Sequence, residues 1–174
     1  MSTNLQFIKS ASGNDVASVS VSDCFSAAYD VYMIQITKWK YVGTSNAGGL
    51  RFIDSSGSVI SDSEYYHADL QMRNYSSFQE LKSEGGTSIL TGQDSSNQNA
   101  SYLADGFRAF IYNPQDSARY TLATFQESSA YDGTNILGYR GIAYHKSAEV
   151  LSGVNFFNRG TGNISATINV YGVL

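Results

Sequence analysis

Alternation of apolar and polar residues is the dominant pattern along the chain, and it predicts β-strands. The alternation is most regular at 164–171, where the apolar row comprises Ile164, Ala166, Ile168 and Val170. We expect that row to point inward, in a strand held within a sheet. Further candidate strands lie at 5–9, 29–42, 50–53, 58–60, 65–73, 107–112, 118–126, 136–145 and 154–157. The segment 107–112 is apolar on both faces, as expected of a central strand that is covered on two sides.

Short polar segments separate these strands and predict turns. The run Asp-Ser-Ser-Gly at 54–57 stands between two apolar segments and indicates a hairpin or a tight corner. Helical spacing is found only at 76–84, where Phe78 and Leu81 are three residues apart. Because the strands follow one another closely, the connections should be mainly antiparallel. The pattern therefore predicts an all-β, antiparallel sandwich of about eight to ten strands, with at most one short helix.

The sequence predicts a single domain, 1–174. A length of 174 residues suits a single core, and neither a composition boundary nor a repeat of 20 to 50 residues divides it. The most polar stretch, 92–100, is expected to be an exposed loop.

The segment 29–42 does not keep one alternation throughout. Ile34 and Ile36 fall on one face, whereas Trp39 falls on the other. A β-bulge near Thr37 would bring both sets to the core side. Without a bulge, Trp39 would point outward, and the sequence leaves these two arrangements equally open.

Charge and cysteine content exclude several classes of protein. Charged residues make up 15% of the chain and the net charge is -4, which argues against nucleic-acid binding, since that requires a basic surface. Neither a signal peptide nor an apolar run of membrane-spanning length is present, so we expect synthesis in a cytoplasm and no membrane contact. The single cysteine, Cys24, excludes an internal disulfide and is expected to be a small buried hydrophobe.

Residues with catalytic or metal-binding chemistry are sparse. The two histidines, His67 and His145, lie 78 residues apart inside candidate strands, and nothing in the sequence marks a third metal ligand. A Gly-x-Ser-x-Gly motif and a glycine-rich phosphate loop are absent. We therefore expect no catalytic residues, no metal and no cofactor.

Aromatic residues offer the best candidates for a contact surface. The cluster Tyr65, Tyr66 and His67, together with Trp39, could form a platform on which a sugar or a protein partner packs. Aromatic residues also fill sandwich cores, and the sequence favours core or interface packing over a sugar platform.

Three longer segments are similar to a known group of proteins. They are 21–36, VSDCFSAAYDVYMIQI; 50–57, LRFIDSSG, followed by Tyr65-Tyr66; and 153–172, GVNFFNRGTGNISATINVYG. In this order they resemble virion surface proteins and fibre-tip domains of tailed phages, especially marine and cyanobacterial phages. Ala166 stands where that group usually has glycine. The resemblance implies a jelly-roll-like β-sandwich with a structural or adhesive role and no enzymatic activity.

From this resemblance we expect a decoration or cement protein on the capsid surface. The chain shows no stalk, heptad or collagen-like repeat that would place it at the end of a fibre. Its partners would be other virion proteins, above all the major capsid protein, or further copies of itself. The alternative is a tail-fibre module that binds a receptor or a carbohydrate, and a polysaccharide hydrolase using two carboxylates ranks third.

Overall fold

The computed structural model describes residues 4–42, 47–91, 105–130 and 135–174, and these ranges contain twelve β-strands in two sheets. The strands are β1 (Leu5–Val16), β2 (Ser18–Val21), β3 (Val31–Val42), β4 (Gly48–Asp54), β5 (Tyr65–Arg73), β6 (Gln79–Gly86), β7 (Ile89–Thr91), β8 (Asp105–Tyr112), β9 (Thr121–Ala130), β10 (Ile136–His145), β11 (Leu151–Asn158) and β12 (Asn163–Val173). None of the described residues belongs to a helix that could span a bilayer.

The two sheets have the strand order of a jelly roll. The larger sheet runs β1-β12-β3-β8-β9-β10-β5-β6 and the smaller runs β2-β11-β4-β7, with every neighbouring pair antiparallel. When the hairpins β5–β6 and β9–β10 are set aside, eight strands remain. They pair from the outermost in sequence to the innermost: β1 with β12, β2 with β11, β3 with β8, and β4 with β7. That is the double-sheet arrangement of two Greek keys. The two hairpins pair with each other through β5 and β10 and widen the larger sheet beyond the sandwich.

The predicted fold class is confirmed, and the number of strands is higher than the eight to ten expected. The additional strands include β2 and β7, which are short. They also include β6, at the position of the weak helical pattern. There the chain pairs with β5, and Phe78 remains outside on the surface. The polar stretch 92–100 lies outside the described residues.

The C-terminal strand β12 has the predicted inward row. Ile164, Ala166, Ile168 and Val170 are all buried. The strand lies between β1 and β3 and pairs with both, so its backbone is hydrogen-bonded on two sides.

A β-bulge decides the orientation of Trp39. The pairing of β3 with β12 shifts between Thr37 and Lys40, and Lys38 adopts φ 53°. The shift returns Trp39 to the core side, where it is 2% exposed. Its indole ring packs edge-on against Phe156 of the smaller sheet, with 4.7 Å between ring centroids. The bulged arrangement is therefore the one that the chain adopts.

The core lies between the two sheets and includes Cys24, as expected for a small buried hydrophobe. Burial raises the pKa of the Cys24 thiol to about 12. At 54–57 the chain turns as predicted, because the Asp54 carboxylate accepts backbone hydrogen bonds from Ser56 and Ser58 and Gly57 has φ 87°. The hydrogen bond from the Ser56 hydroxyl has the largest effect in lowering the pKa of Asp54, and these backbone hydrogen bonds add to it.

Gly153 should not tolerate a side chain, because β2 passes too close. A Cβ at this position would lie 2.1 Å from the backbone oxygen of Val21 and 3.0 Å from the Cα of Ser22. We expect Gly153→Ala to lower the free energy of unfolding by about 1–3 kcal/mol or more, as overpacking does. The matched control is Gly106→Ala on β8, where a Cβ meets no atom within 4 Å. Equal midpoints for the two variants in urea denaturation would contradict this close approach.

Candidate binding surface on the larger sheet

The structure separates the four aromatic and histidine residues that the sequence grouped as a contact surface. Trp39, Tyr65 and His67 are buried, and Tyr66 alone is partly exposed. The reason is the two-residue period of β5, which turns residues 65 and 67 inward and residue 66 outward. Trp39, Tyr65 and His67 are therefore unavailable as surface contacts, and that suggestion is wrong for these three residues. Their burial agrees with the core packing that the sequence favoured.

The inward-facing members of that cluster are fixed by hydrogen bonds. The Tyr65 hydroxyl donates to the Ile60 carbonyl at 3.1 Å and accepts from the Phe52 backbone N–H at 2.9 Å. Burial raises the pKa of Tyr65. His67 Nδ1 lies 2.8 Å from Asp69 Oδ1, and both side chains are buried. The Tyr65 hydrogen bonds join β5 to the chain at Phe52 and Ile60, whereas the His67–Asp69 contact lies within β5.

The side of β8, β9, β10, β5 and β6 that faces away from the smaller sheet is termed the outer face here. Its central element is a row of stacked rings, the tyrosine ladder, formed by Tyr120, Tyr144 and Tyr66. Ring centroids are 6.0 Å apart from Tyr120 to Tyr144 and 5.0 Å from Tyr144 to Tyr66, with planes within 12° of parallel. Lys146 closes the row: its Nζ donates to the Tyr66 hydroxyl at 3.4 Å. That hydrogen bond raises the pKa of Lys146.

Aliphatic side chains continue the outer face beside the ladder. Ile142 is 62% exposed and Leu122 is 50% exposed. Ile142 pairs with Ala68 on β5, and Leu122 pairs with Tyr144 on β10, so these residues are direct cross-strand neighbours. Leu70 extends the same surface along β5. Together they form one contiguous apolar area on the outside of the sheet.

The outer face is concave and has charged residues around its apolar centre. Side chains of β6 and β8 line one depression, although these strands are four spacings apart, or about 19 Å in a flat sheet. Four cations and two carboxylates are exposed at the depressions or beside the ladder: Lys82, Arg108, Arg140, Lys146, Glu80 and Glu84. Asp69 also borders a depression, but its carboxylate is buried against His67. The exposed groups therefore have a formal charge of +2, in a chain whose net charge is -4.

The sequence missed this surface because strands with two apolar faces were interpreted as covered strands. On β8, Phe107, Ala109 and Ile111 are buried, but Arg108 is exposed on the opposite face and no described strand covers that side. The expectation that 107–112 is covered on two sides is therefore wrong. A strand with two apolar faces, in a sequence that predicts at most one short helix to cover the second face, is the signal that could have revealed the outer face.

Side chains of the types that bind metal ions lie close together elsewhere, at the end of β10. Glu64, His145 and Glu149 are the described residues whose side chains could together hold a metal ion. The second histidine, His67, is not part of that group.

Comparisons with known proteins give no assignment. No protein-family model matches the sequence, and no curated protein matches it. Among solved structures, the chain is similar to one described as a functionally unknown protein from Saccharomyces cerevisiae, at 9% sequence identity and a TM-score of 0.24. The match covers 89% of this chain and 91% of the yeast chain. A similarity of that size carries no argument about fold or function.

Proposed function

We propose that this chain is a structural protein of a phage virion, attached to the capsid surface through its outer face. The observation that carries the proposal is the contiguous exposed apolar area around Ile142, Leu122 and the tyrosine ladder. Exposed apolar areas of this kind, surrounded by polar residues, are typical of surfaces that a partner covers.

The chemistry of the outer face is suited to a protein partner. Tyrosine is enriched at protein interfaces because its ring packs while its hydroxyl remains hydrogen-bonded. Few charges would lose water on docking, since the charged side chains stand around the apolar centre and can remain solvated. The fold supports the proposal in a second way, because antiparallel pairing joins the five strands of the outer face into one sheet.

The positive excess on this face favours a different protein over a second copy of the chain. In a symmetric dimer formed through the outer face, the positive excess of one copy would face the same positive excess of the other. A partner with an apolar centre and acidic groups around it complements this surface better. We propose that this partner is another virion protein, and the major capsid protein is the first candidate.

A carbohydrate-binding module on the tail is the second candidate function, and the exposed tyrosines favour it. Sugars stack on the face of an aromatic ring. In the ladder, Tyr144 uses its ring faces for its two neighbours, and Lys146 lies 5.1 Å from the ring centroid of Tyr66. The ladder therefore presents mainly ring edges and hydroxyls, which suit a protein contact better than a sugar.

The proposal is tested by locating the chain in purified virions. We expect quantitative mass spectrometry to find it in mature particles, in a fixed ratio to the major capsid protein. Labelled antibody should bind around the head in electron micrographs. Label confined to the tail tip, together with binding on a glycan array, would establish the second candidate, and absence from mature particles would exclude both.

A further inference from the structure

Three separate segments of the chain meet around His145. His145 is the last residue of β10, Glu64 directly precedes β5, and Glu149 lies in the connection from β10 to β11. The Lys146 backbone N–H donates to the Glu64 carbonyl at 2.8 Å, which fixes the first two segments side by side. The three side chains therefore converge through the pairing of β5 with β10.

The distances are those of a potential ligand set. His145 Nε2 lies 3.4 Å from Glu64 Oε2, and His145 Nδ1 lies 3.8 Å from Glu149 Oε1. One ring nitrogen and one oxygen from each carboxylate all lie within 4.8 Å of one another. Two ligands bound at about 2.0–2.2 Å in tetrahedral geometry stand about 3.4 Å apart, which is the separation of Nε2 and the Glu64 oxygen.

The imidazole of His145 is fully buried and lacks a hydrogen bond. Neither ring nitrogen has a hydrogen-bond partner within the part of the chain that the structure describes. The rings of Tyr65 and Phe52 pack around it, with centroids 4.9 Å and 5.9 Å away. A buried nitrogen without a partner is unfavourable, and structures normally satisfy such groups. The two ring nitrogens face the two carboxylates, Nε2 toward Glu64 and Nδ1 toward Glu149.

The two carboxylates of the group lie beside the buried ring and extend to the surface. The Glu64 and Glu149 side chains are 41% and 34% accessible. An ion therefore has a path from solvent to the buried nitrogen.

We propose that Glu64, His145 and Glu149 form a binding site for a divalent transition-metal ion of the zinc type. Zn²⁺ is bound by imidazole nitrogen and carboxylate oxygen, whereas Ca²⁺ and Mg²⁺ prefer oxygen ligands alone. Water completes the coordination. The two glutamates lie beside different ring nitrogens, and one ion binds only one of them. With Nε2 as the binding nitrogen, the partly exposed Glu149 side chain has to rotate from Nδ1 toward the ion.

The position of the site gives the ion a structural role. It joins the segment that starts the hairpin β5–β6 to the segment that ends the hairpin β9–β10. These two hairpins form the part of the larger sheet that extends beyond the sandwich, and it carries most of the outer face. An ion that binds only the folded chain stabilises it in proportion to its concentration over its dissociation constant.

The experiment is a titration of Zn²⁺ into the chelator-treated full chain, followed by calorimetry and thermal unfolding. We expect one ion per chain and a rise in the unfolding temperature, and we expect Ca²⁺ to cause no such rise. Glu64→Gln and Glu149→Gln should each weaken Zn²⁺ binding at least tenfold. The matched control, Glu80→Gln on β6, replaces an exposed carboxylate outside the group and should bind like the unmodified chain.

Histidine side-chain NMR identifies the nitrogen that binds. We expect Zn²⁺ to shift the ring ¹⁵N resonances of His145 and to leave those of His67 unchanged. Unchanged Zn²⁺ affinity in both glutamine variants would overturn the proposal, as would shifts confined to His67. Absence of binding to the folded, unmodified chain would overturn it as well.

Discussion

Ile168→Ala should lower the free energy of unfolding by about 2–5 kcal/mol, the range for truncating a large aliphatic residue in a core. Ile168 is fully buried on β12, which is hydrogen-bonded to β1 and β3. Loss of its side chain removes apolar burial and leaves a cavity between the sheets. Urea denaturation followed by circular dichroism measures the difference.

The control is the neighbouring residue on the other face of the same strand. Thr167→Ala removes a partly exposed side chain and one hydroxyl contact of 3.0 Å to Ser12, and it should cost less than about 1 kcal/mol. Deletion of residues 165–174 removes the inward row except Ile164 and exposes the edges of β1 and β3. That truncated chain should aggregate or fail to fold. Equal effects of the two point substitutions, or normal folding of the truncated chain, would refute the inward assignment of the row.

On the proposed attachment through the outer face, Ile142→Asp should strongly weaken binding to the particle while leaving the fold intact. The side chain is 62% exposed at the centre of the outer face, so its replacement should change folding stability by no more than about 0.5 kcal/mol. In the proposed complex the new carboxylate would lose its water and would meet the acidic groups of the partner. A central contact residue contributes at least about 2 kcal/mol, so affinity should fall roughly 30-fold or more.

The matched control for this experiment is Leu174→Asp, which places the same charge at a 70% exposed aliphatic position away from the outer face. Each variant is added to virions of the parent phage assembled without this chain, and the bound fraction is measured after sedimentation. We expect Leu174→Asp to bind like the unmodified chain. Equal binding of the two variants would exclude the outer face as the attachment surface.

Local patterns were enough to predict the parts of the fold that depend on neighbouring residues. The inward row of β12 follows from strict alternation, and the turn at 54–57 follows from the hydrogen bonds that an aspartate offers to the next residues. The two arrangements of Trp39 were also set by local pattern. The choice between them was not, because it depends on a bulge opposite β12 and on the space beside Phe156.

The site residues were harder to predict because they depend on long-range pairing. Tyr65, Tyr66 and His67 are all compatible with either face of a strand, and only the pairing of β5 with β10 determines which of them are inside. Glu64 and His145 meet through the same pairing, across two hairpins that are distant in the sequence. The outer face was not predicted for a different reason. A sequence does not distinguish an apolar residue that is exposed on a sheet from one that is buried in the core.

The pairing of β1 with β12 also affects how the protein is made. Leu5 pairs with Val173, which lies 168 residues further along the chain. The first strand of the larger sheet therefore gains its partner only after the strands between them have been made. The half-finished chain leaves apolar strands unpaired during that interval. Topologies dominated by such distant contacts fold slowly, in milliseconds to seconds, and we expect newly made chains to need protection from aggregation until β12 inserts between β1 and β3.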